Sequence, residues 1–474
     1  MIALAISALV CAMPMRAEVT VLLEEPYALD GEIAGTGHTA VYLSSVCADS
    51  PTVLRRCKPG ELGAVLSRYH HIGGYDWLAI PLLPYLYAVE RPEDIPLIAD
   101  PKIEAAMRDA YRRKYLEGIA PDGPEGQTPG GDWYELIGSA FDRTLYGFEL
   151  PTTEEQDDAF IAAYNSRPNH QAYKLVTSNC ADFVRDAVNF YYPKATTRSL
   201  FADLDVATPK HVSKSFVSYA HHHQEIPFTA FVIPQIPGSI KRSTHIHGVV
   251  DSVFKAKKYE IPLLVFHPFI GGGVAVAYVV SGRFNPAHDA MMFSPDGVLD
   301  QPLSDEKRRS YGKSLDDLLR DQPDLPTESY NSPNWRQGRS EEWRRLQSKA
   351  VFAPDALGHP ALSVGLDPGV ATNNTPKTAA EAVPASFHET SAVAPAVSGP
   401  AVIGLTRSNI LDSTVPPALT RDLLVIRLRQ ELSKGTSPHT SERELRSDLA
   451  LLEKLLAPQN QIIAAEGTAY GGLH

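Results

Sequence analysis

Alternating apolar and polar positions predict strands in the N-terminal part of the chain. Residues 18–45, EVTVLLEEPYALDGEIAGTGHTAVYLSS, contain two such runs joined by a Gly-rich turn. In the second run, Val41 and Leu43 project to one face of the strand and His38 projects to the other. Two more strand-like runs follow, ELGAVLSRY and YDWLAIPLL. The pattern therefore predicts several consecutive strands at this end of the chain.

Helix-start motifs follow these strand-like runs. Asp100 as capping residue and Pro101 as first helical residue predict a helix that continues to Gly118. A capping box that begins at Thr152 or Thr153 predicts a second helix. The first half of the chain therefore combines predicted strands with predicted helices.

A third predicted helix begins with a cysteine, in the segment TSNCADFVRDAVNFYYP at residues 177–193. Ser178 or Asn179 can cap it. Cys180 falls on the apolar face by helical spacing, so the thiol points with the buried side. The helix dipole and the free N–H groups of the first turn lower a thiol pKa and can receive an oxyanion during acyl transfer. Cys180 is therefore either a nucleophile or a small apolar residue at a helix start.

Composition and charge exclude one broad class of function. The chain has 474 residues, of which 43% are hydrophobic, which is enough for two or three globular domains. Its formal net charge is −12. Binding to phosphate backbones needs clustered Lys and Arg on a domain that is basic overall. We therefore expect no nucleic acid partner.

The first residues, MIALAISALVCAMPMRA, resemble an export signal because an apolar run ends at Pro14 and the small Ala17 follows. A buried N-terminal helix is the alternative. Of the four cysteines, Cys11 would leave with the signal, and Cys47 and Cys57 bracket a short loop suited to a disulfide in an oxidising compartment. Cys180 is then left as an unpaired thiol, which in an exported protein is buried or used.

The later part of the chain divides by composition. Residues 261–282 carry no formal charge and are long enough to span a bilayer, although two prolines and three consecutive glycines favour a buried hairpin or core segment. An Ala-, Pro-, Ser- and Thr-rich stretch predicts a disordered linker. The predicted organisation is a signal peptide (1–17), a main domain (18–210), an accessory α/β region (211–345), the linker (346–420) and a helical tail (421–474).

His38 is the candidate base for the thiol. A thiolate enzyme needs a histidine to take the proton and a third group to orient the ring. Among the 16 histidines, His38 has the most rigid position, at the start of a strand just after Gly35 and Gly37. A histidine on a strand is more often structural, so this position alone is weak support.

Two stretches taken together resemble a known family. GHTAVYL, followed downstream by NCADFVRDAVNFY, is similar to the circularly permuted papain-like families of the NlpC/P60 superfamily, in which a histidine strand precedes the cysteine helix. The most similar in character is the exported bacterial family typified by the N-terminal periplasmic domain of lipoprotein intramolecular transacylase. The resemblance covers roughly residues 19–210. It implies an α+β fold with an antiparallel sheet packed on helices.

The resemblance also implies roles for individual residues. Cys180 would be the nucleophile, His38 the general base and Asn179 a capping or oxyanion residue. The third group lies in such families on the strand after the histidine strand, where Glu61 and His70 are the candidates. No cofactor is implied.

The function expected on this basis is an exported cell-envelope cysteine acyltransferase or hydrolase, with possible membrane association. Its partner would be an acyl-bearing lipid, a lipoprotein or peptidoglycan. Three alternatives stay open: a peptidoglycan amidase or endopeptidase, a non-catalytic envelope protein that keeps the fold, and a metal-binding protein. The last would use the later histidines, which are residues 221–223, His245 and His247. His245 and His247 are two positions apart on a predicted strand and therefore share one of its faces.

Overall fold

A computed structural model describes twelve stretches of the chain, and every structural statement below concerns these. They are residues 17–27, 37–70, 72–170, 173–174, 177–198, 206–238, 240–246, 284–320, 350–354, 360–364, 417–432 and 440–457. The apolar run of the predicted signal peptide and the uncharged segment 261–282 lie outside them. In the described stretches no helix is both long and apolar enough to cross a membrane.

One eight-stranded sheet forms the centre of the protein. Its strand order is β10-β9-β8-β7-β1-β2-β5-β6, and every neighbouring pair is antiparallel except β8 and β9. The strands of the protein are β1 (Glu18–Glu24), β2 (His38–Leu43), β3 (Val46–Ser50), β4 (Val53–Arg56), β5 (Ala64–Ser67), β6 (Leu78–Pro81), β7 (Leu145–Pro151), β8 (Thr229–Ile233), β9 (Met291–Phe293), β10 (Leu299–Asp300), β11 (Ala350–Pro354) and β12 (Pro360–Val364). The expected α+β class with a mostly antiparallel sheet is confirmed.

The helices begin largely where the capping motifs predict. They are α1 (Leu82–Tyr87), α2 (Pro101–Tyr115), α3 (Ser139–Asp142), α4 (Glu154–Ser166), α5 (Cys180–Tyr191), α6 (Pro209–His222), α7 (Asp305–Leu319), α8 (Pro417–Leu432) and α9 (Glu442–Leu456). Asp100 caps α2 by accepting from two backbone N–H groups, and Thr153 forms a capping box with Gln156 at the start of α4.

Helices cover both faces of the sheet, because the strands are apolar on both sides. Val41 and Leu43 pack with α4, α5 and α6 on one face. Ala40 and Tyr42, the alternate residues of the same strand, pack with α1, α2 and α3 on the other. The predicted alternation along β2 is thus realised as two separate cores.

A small hairpin stands beside the main sheet. It consists of β3 and β4, and a disulfide joins Cys47 to Cys57 across it. The Asn165 side chain of α4 makes two hydrogen bonds to the backbone of Leu54, with N···O distances of 2.9 and 2.8 Å. The hairpin is therefore held to α4 and leaves β2 free to pair with β5.

The main sheet continues past the boundary predicted at residue 210. Strand β8 pairs with β7, with Ala230 opposite Phe148, and β9 and β10 extend the sheet further. Residues 211–345 were predicted as a separate region because chain order does not reveal strand pairing. The helical tail, α8 and α9, packs with α7 around a third apolar cluster. Strands β11 and β12 form a hairpin inside the range predicted as linker.

Candidate functional site

The start of α5 fixes the position of Cys180. The Asn179 side-chain oxygen accepts from the backbone N–H of Asp182 at 3.0 Å, and the Asp182 carboxylate accepts from the backbone N–H of Asn179 at 3.3 Å. The amide nitrogen of Asn179 donates to the Ala207 carbonyl at 2.9 Å. Asn179 is therefore the predicted cap, and its side-chain amide is already used within the protein.

A buried arginine ties this helix start to the loop after β5. Arg68 is 5% exposed, and its guanidinium pairs with the carboxylate of Asp76. The same guanidinium donates to the carbonyl oxygen of Asn179 at 3.3 Å and lies 5.7 Å from the centre of the Phe183 ring. The residue before Cys180 is thus held from outside its own helix.

The Cys180 sulfur lies beside the first strand residues of β2. Cys180 is the free cysteine of the described chain and is 7% exposed. The backbone N–H of Thr39, the residue after His38, lies close enough to the sulfur to lower the pKa of the thiol. Thr39 and Cys180, which lie 141 positions apart in the chain, are therefore brought together at one end of the sheet.

The thiol is neutral at physiological pH. Burial, together with the nearby carboxylates of Glu135 and Glu24, raises the pKa of Cys180 to about 12. The backbone N–H groups of Thr39 and Ala181 act in the opposite direction but are weaker. Desolvation outweighs the helix start here, so Cys180 is not a resting thiolate.

His38 is the first residue of β2 and lies opposite Glu24 of β1. Gly37, just before it, has a φ of 70°, and a Cβ at this position would lie 2.1 Å from the carbonyl oxygen of Glu24. The glycine is required by the close approach of β1 as well as by its backbone conformation. The tight turn sets the direction in which His38 enters the sheet.

The hydroxyl of Ser67 determines the tautomer of His38. Ser67 Oγ donates to the carbonyl oxygen of Thr39 at 2.8 Å and lies 3.0 Å from His38 Nε2. A hydroxyl has one proton, so with that proton on the Thr39 carbonyl the oxygen accepts from Nε2–H. Nδ1 is then the unprotonated nitrogen and the one able to take a proton.

The surroundings of the ring also keep it neutral. The ring of Tyr69 stacks on His38 with centroids 5.2 Å apart. Burial, together with the positive charge of Arg143, lowers the pKa of His38 to about 3. The site therefore contains a neutral thiol and a neutral imidazole rather than a thiolate–imidazolium pair.

A buried polar cluster lies beneath His38. Glu24 is fully buried, accepts a hydrogen bond from the hydroxyl of Tyr85 and lies 3.4 Å from the guanidinium of Arg143. Arg143 in turn stacks over the Tyr27 ring at 4.2 Å. The charge that opposes protonation of His38 is thus held in place by Glu24 and Tyr27, and Tyr85 holds Glu24 in turn.

The two residues proposed as third group have other partners. Glu61 makes two hydrogen bonds to Arg55, at 2.7 and 2.8 Å, which hold the pKa of its carboxyl at about 2. His70 is half-exposed, lies 3.3 Å from the carboxylate of Asp132 and meets the Tyr173 ring edge-on. The orienting contact to the His38 ring comes from Ser67 instead.

Ser67 was not predicted from the sequence, because only titratable groups were considered as the third group beside His38. The alternation in β5 contained the information, since Val65 packs in the same core as Ala40 and Ser67 follows at the same-face spacing. A polar residue at a buried position on the histidine face was the detectable feature. Tyr69 and Arg143 gave no comparable signal, since neither has a motif around it.

The alternative metal histidines do not form a ligand cluster in the described chain. Residues 221–223 lie at the end of α6, where the rings of His222 and His223 contact backbone carbonyls one turn earlier. His245 is exposed, and His247 lies outside the described residues. One close group of potential ligands occurs among the described residues, but its two sulfurs form the disulfide: Cys47, Cys57 and Glu61.

The arrangement has the parts needed for general-base-assisted attack by a thiol. Backbone N–H groups at the start of α5 are close to the sulfur, and a base with an assigned free nitrogen adjoins the same strand end. Comparison of the chain with protein-family models, with curated proteins and with solved structures finds no match in any of the three.

Proposed function

We propose that this protein is a cysteine acyltransferase or hydrolase of permuted papain-like architecture, acting in the cell envelope. The observation that carries the proposal is the packing of α5 on β2, which places the Cys180 sulfur near the backbone N–H of Thr39, the residue next to His38. The order of histidine strand before cysteine helix agrees with the family resemblance.

In the proposed reaction, Cys180 loses its proton as it attacks. His38 Nδ1 takes the thiol proton while the sulfur bonds to the carbonyl carbon of an ester or amide. Backbone N–H groups at the start of α5 stabilise the oxyanion. The C–O or C–N bond then breaks, and the leaving group takes the proton from His38, which leaves an acyl-enzyme.

The second half restores the thiol. An amine or a water molecule gives a proton to His38 and attacks the thioester carbonyl. The C–S bond breaks, and the sulfur regains its proton from His38. The scheme requires His38 to be unprotonated at the start of both halves, and its lowered pKa keeps it so. The proton transfer itself runs uphill, from a thiol with a pKa of about 12 to an imidazole with a pKa of about 3.

The substrate proposed is an acyl-bearing lipid or lipoprotein, as the family resemblance implies. The Cys47–Cys57 disulfide supports an oxidising compartment, since such bonds are rare where thiols are kept reduced. A peptidoglycan amide is the alternative within the same superfamily. Both substrate classes are consistent with the sequence resemblance.

The test measures covalent labelling and acyl-enzyme formation. Purified protein is incubated with a p-nitrophenyl ester of an alkanoic acid, and the acyl adduct is located by mass spectrometry. We expect an adduct on Cys180, its loss in Cys180→Ser, and at least a hundred-fold slower formation in His38→Gln. His222→Gln, at an exposed histidine of α6, is the matched control and should match the wild type.

A second candidate is supported by one observation. Cys180 is 7% exposed and its thiol has a raised pKa, both of which are typical of an inert buried cysteine. The protein would then be a non-catalytic envelope component that retains the fold. A folded protein in which Cys180 resists both the ester and iodoacetamide until denaturation would establish this reading and rule out the enzyme.

A further inference from the structure

Arg68 lies on the α5 side of the sheet, directly after the serine that orients His38. Strand β5 ends at Ser67, and Leu66 packs in the same apolar core as the helix that begins at Cys180. Because neighbouring strand residues alternate between faces, Arg68 projects to the side of Leu66, whereas Ser67 projects to the side of His38. Consecutive residues at one strand end therefore contact the two halves of the candidate site.

The guanidinium of Arg68 reaches the peptide that joins Asn179 to Cys180. It donates to the Asn179 carbonyl oxygen at 3.3 Å, and the same oxygen accepts from the backbone N–H of Phe183 at 3.2 Å. In a trans peptide the carbonyl and the N–H point in opposite directions. Donors on this carbonyl therefore lie behind the Cys180 N–H and increase its polarity, because connected hydrogen bonds polarise one another.

The N–H of Cys180 is left available by the cap of α5. The first N–H groups of a helix have no acceptor within it. The Asn179 side chain accepts from the N–H of Asp182, and the Asn179 carbonyl accepts from that of Phe183, so neither cap contact uses the N–H of Cys180. This N–H is close to the place where an oxyanion forms, since the oxygen is bonded to the carbon that the sulfur of the same residue attacks.

Stability does not explain a buried cation at this helix start. The N-terminus is the positive end of the helix macrodipole, which favours anions over cations. Arg68 and its partner Asp76 are 5% and 8% exposed, and a buried ion pair contributes little net stability because both ions lose their hydration. The guanidinium is nevertheless fixed there, 2.8 Å from the Asp76 carboxylate and 5.7 Å from the centre of the Phe183 ring. The fold thus keeps a costly ion pair at the helix start that carries the thiol.

We propose that Arg68 is a positioning residue for the oxyanion. It orients and polarises the Asn179–Cys180 peptide, whose N–H stabilises the negative oxygen of the tetrahedral intermediate. This role for Arg68 rests on the proposed function of Cys180. Because Arg68 acts through the peptide, it affects acylation of the thiol, which forms an oxyanion, and not alkylation of the same thiol, which forms none.

The test compares these two reactions in the full-length protein. Acylation by a p-nitrophenyl alkanoate passes through an oxyanion, whereas iodoacetamide loses iodide at a saturated carbon. Arg68→Met combined with Asp76→Leu removes the donor and leaves no buried charge unpaired, a replacement that proteins often tolerate. We expect acylation to slow by roughly three- to thirty-fold, a part of the loss caused by removing an oxyanion donor outright, with the alkylation rate unchanged.

A second variant and a control accompany the double variant. Arg68→Lys keeps a charge beside Asp76, but one ammonium lacks the planar fork that spans a carboxylate and a carbonyl. It should fold as the wild type does and show a smaller loss, of acylation alone. Arg185→Gln is the matched control, since Arg185 lies on the same helix and pairs with the Asp182 carboxylate at 2.9 Å. It should change neither rate.

The rates distinguish failure of this role from failure of the proposed function. If the wild type forms no acyl adduct at Cys180, the proposed function is wrong and the role of Arg68 falls with it. If the wild type is acylated but the Arg68 variants keep its rate, or if acylation and alkylation slow together, only the role of Arg68 is wrong. Melting temperatures show whether the double variant folds, and Arg68→Lys decides if it does not.

Discussion

At the scale of single residues, the hydroxyl of Ser67 has the largest chemical consequence. It fixes which nitrogen of His38 is protonated, and it does so because its own proton is used by the Thr39 carbonyl. Tyr69 and Arg143 then keep the ring stacked and neutral. None of these three residues is a nucleophile or a base, yet together they determine whether His38 can be one.

Replacing Ser67 should alter the tautomer of His38. In Ser67→Ala the ring loses the acceptor for Nε2–H, so the ¹⁵N shifts of His38 should move toward a tautomer mixture. Acyl-enzyme formation should fall by roughly five- to hundred-fold, the effect of leaving one buried polar group unpaired. Ser67→Thr keeps the hydroxyl and should retain most of the rate. Unchanged ¹⁵N shifts in Ser67→Ala would show that the hydroxyl does not set the tautomer.

The reactivity of Cys180 should increase with pH far into the alkaline range. Its thiol has a pKa of about 12, so the thiolate fraction grows tenfold per pH unit across the range in which the protein is handled. The iodoacetamide alkylation rate should therefore rise from pH 7 to pH 10 without a plateau. A plateau reached by pH 7 would mean a low-pKa thiolate and would contradict the neutral pair described here.

At the scale of elements, the sequence predicts helix caps reliably, but it does not predict which strands pair. The caps at Asp100 and Asn179 are where the sequence predicts them, because a cap needs only residues a few positions apart. The run YDWLAIPLL instead divides into β6 and α1, since its apolar residues suit either structure. The pairing of β8 with β7 joins residues about eighty positions apart, and no local sequence motif indicates it.

Where β1 pairs with β7, the burial of one carboxyl group has an electrostatic cost that a substitution can remove. Glu149 is 8% exposed, and burial together with the nearby carboxyl of Glu18 raises its pKa to about 8. A carboxyl whose pKa is raised by folding stabilises the fold below its unfolded pKa and loses this contribution as the pH rises toward the folded value. The sheet is therefore less stable at pH 8 than at pH 4 on account of this residue.

Glu149→Gln should remove that pH dependence. We expect the variant to gain about 1–3 kcal/mol in unfolding free energy at pH 8 and to differ little from the wild type at pH 4. Urea unfolding at both pH values measures the difference. Glu117→Gln, at an exposed loop position, should change neither value by more than a few tenths of a kcal/mol.

At the scale of the whole molecule, burial of the candidate site makes stability depend on pH at both extremes. The pKa of His38 is lowered to about 3, so its contribution is complete above pH 6.5 and is lost as the pH falls through that window. The pKa of Cys180 is raised to about 12, so its contribution is complete below about pH 8.5 and is lost as the pH rises toward 12.

Replacing each group should remove one limb of the stability curve. Cys180→Ala should flatten the loss of melting temperature between pH 9 and pH 11, and His38→Gln should flatten the loss between pH 6.5 and pH 4. Differential scanning calorimetry across the range measures both. If neither variant changes its limb, the two side chains are more solvated in solution than the burial of the site indicates.

Features that depend on near neighbours follow directly from the amino-acid order. These are the strand alternation that puts His38 and Val41 on opposite faces, the capped helix that begins at Cys180, and the short loop that brackets Cys47 and Cys57. Each rests on backbone geometry or on spacing within one element, which a single chain displays directly. The α+β class was implied by the resemblance to the permuted papain-like families.

The surroundings of the thiol, in contrast, depend on how distant segments pack in the folded protein. Three features of the site bring distant segments together. Thr39 lies near Cys180, and Ser67 rather than Glu61 or His70 lies beside His38. The charge of Arg143 is also near the His38 ring. The pKa shifts follow from burial, which exists only after the sheet and its helices have assembled. Protonation at this site is thus a property of packing, and residue types alone do not reveal it.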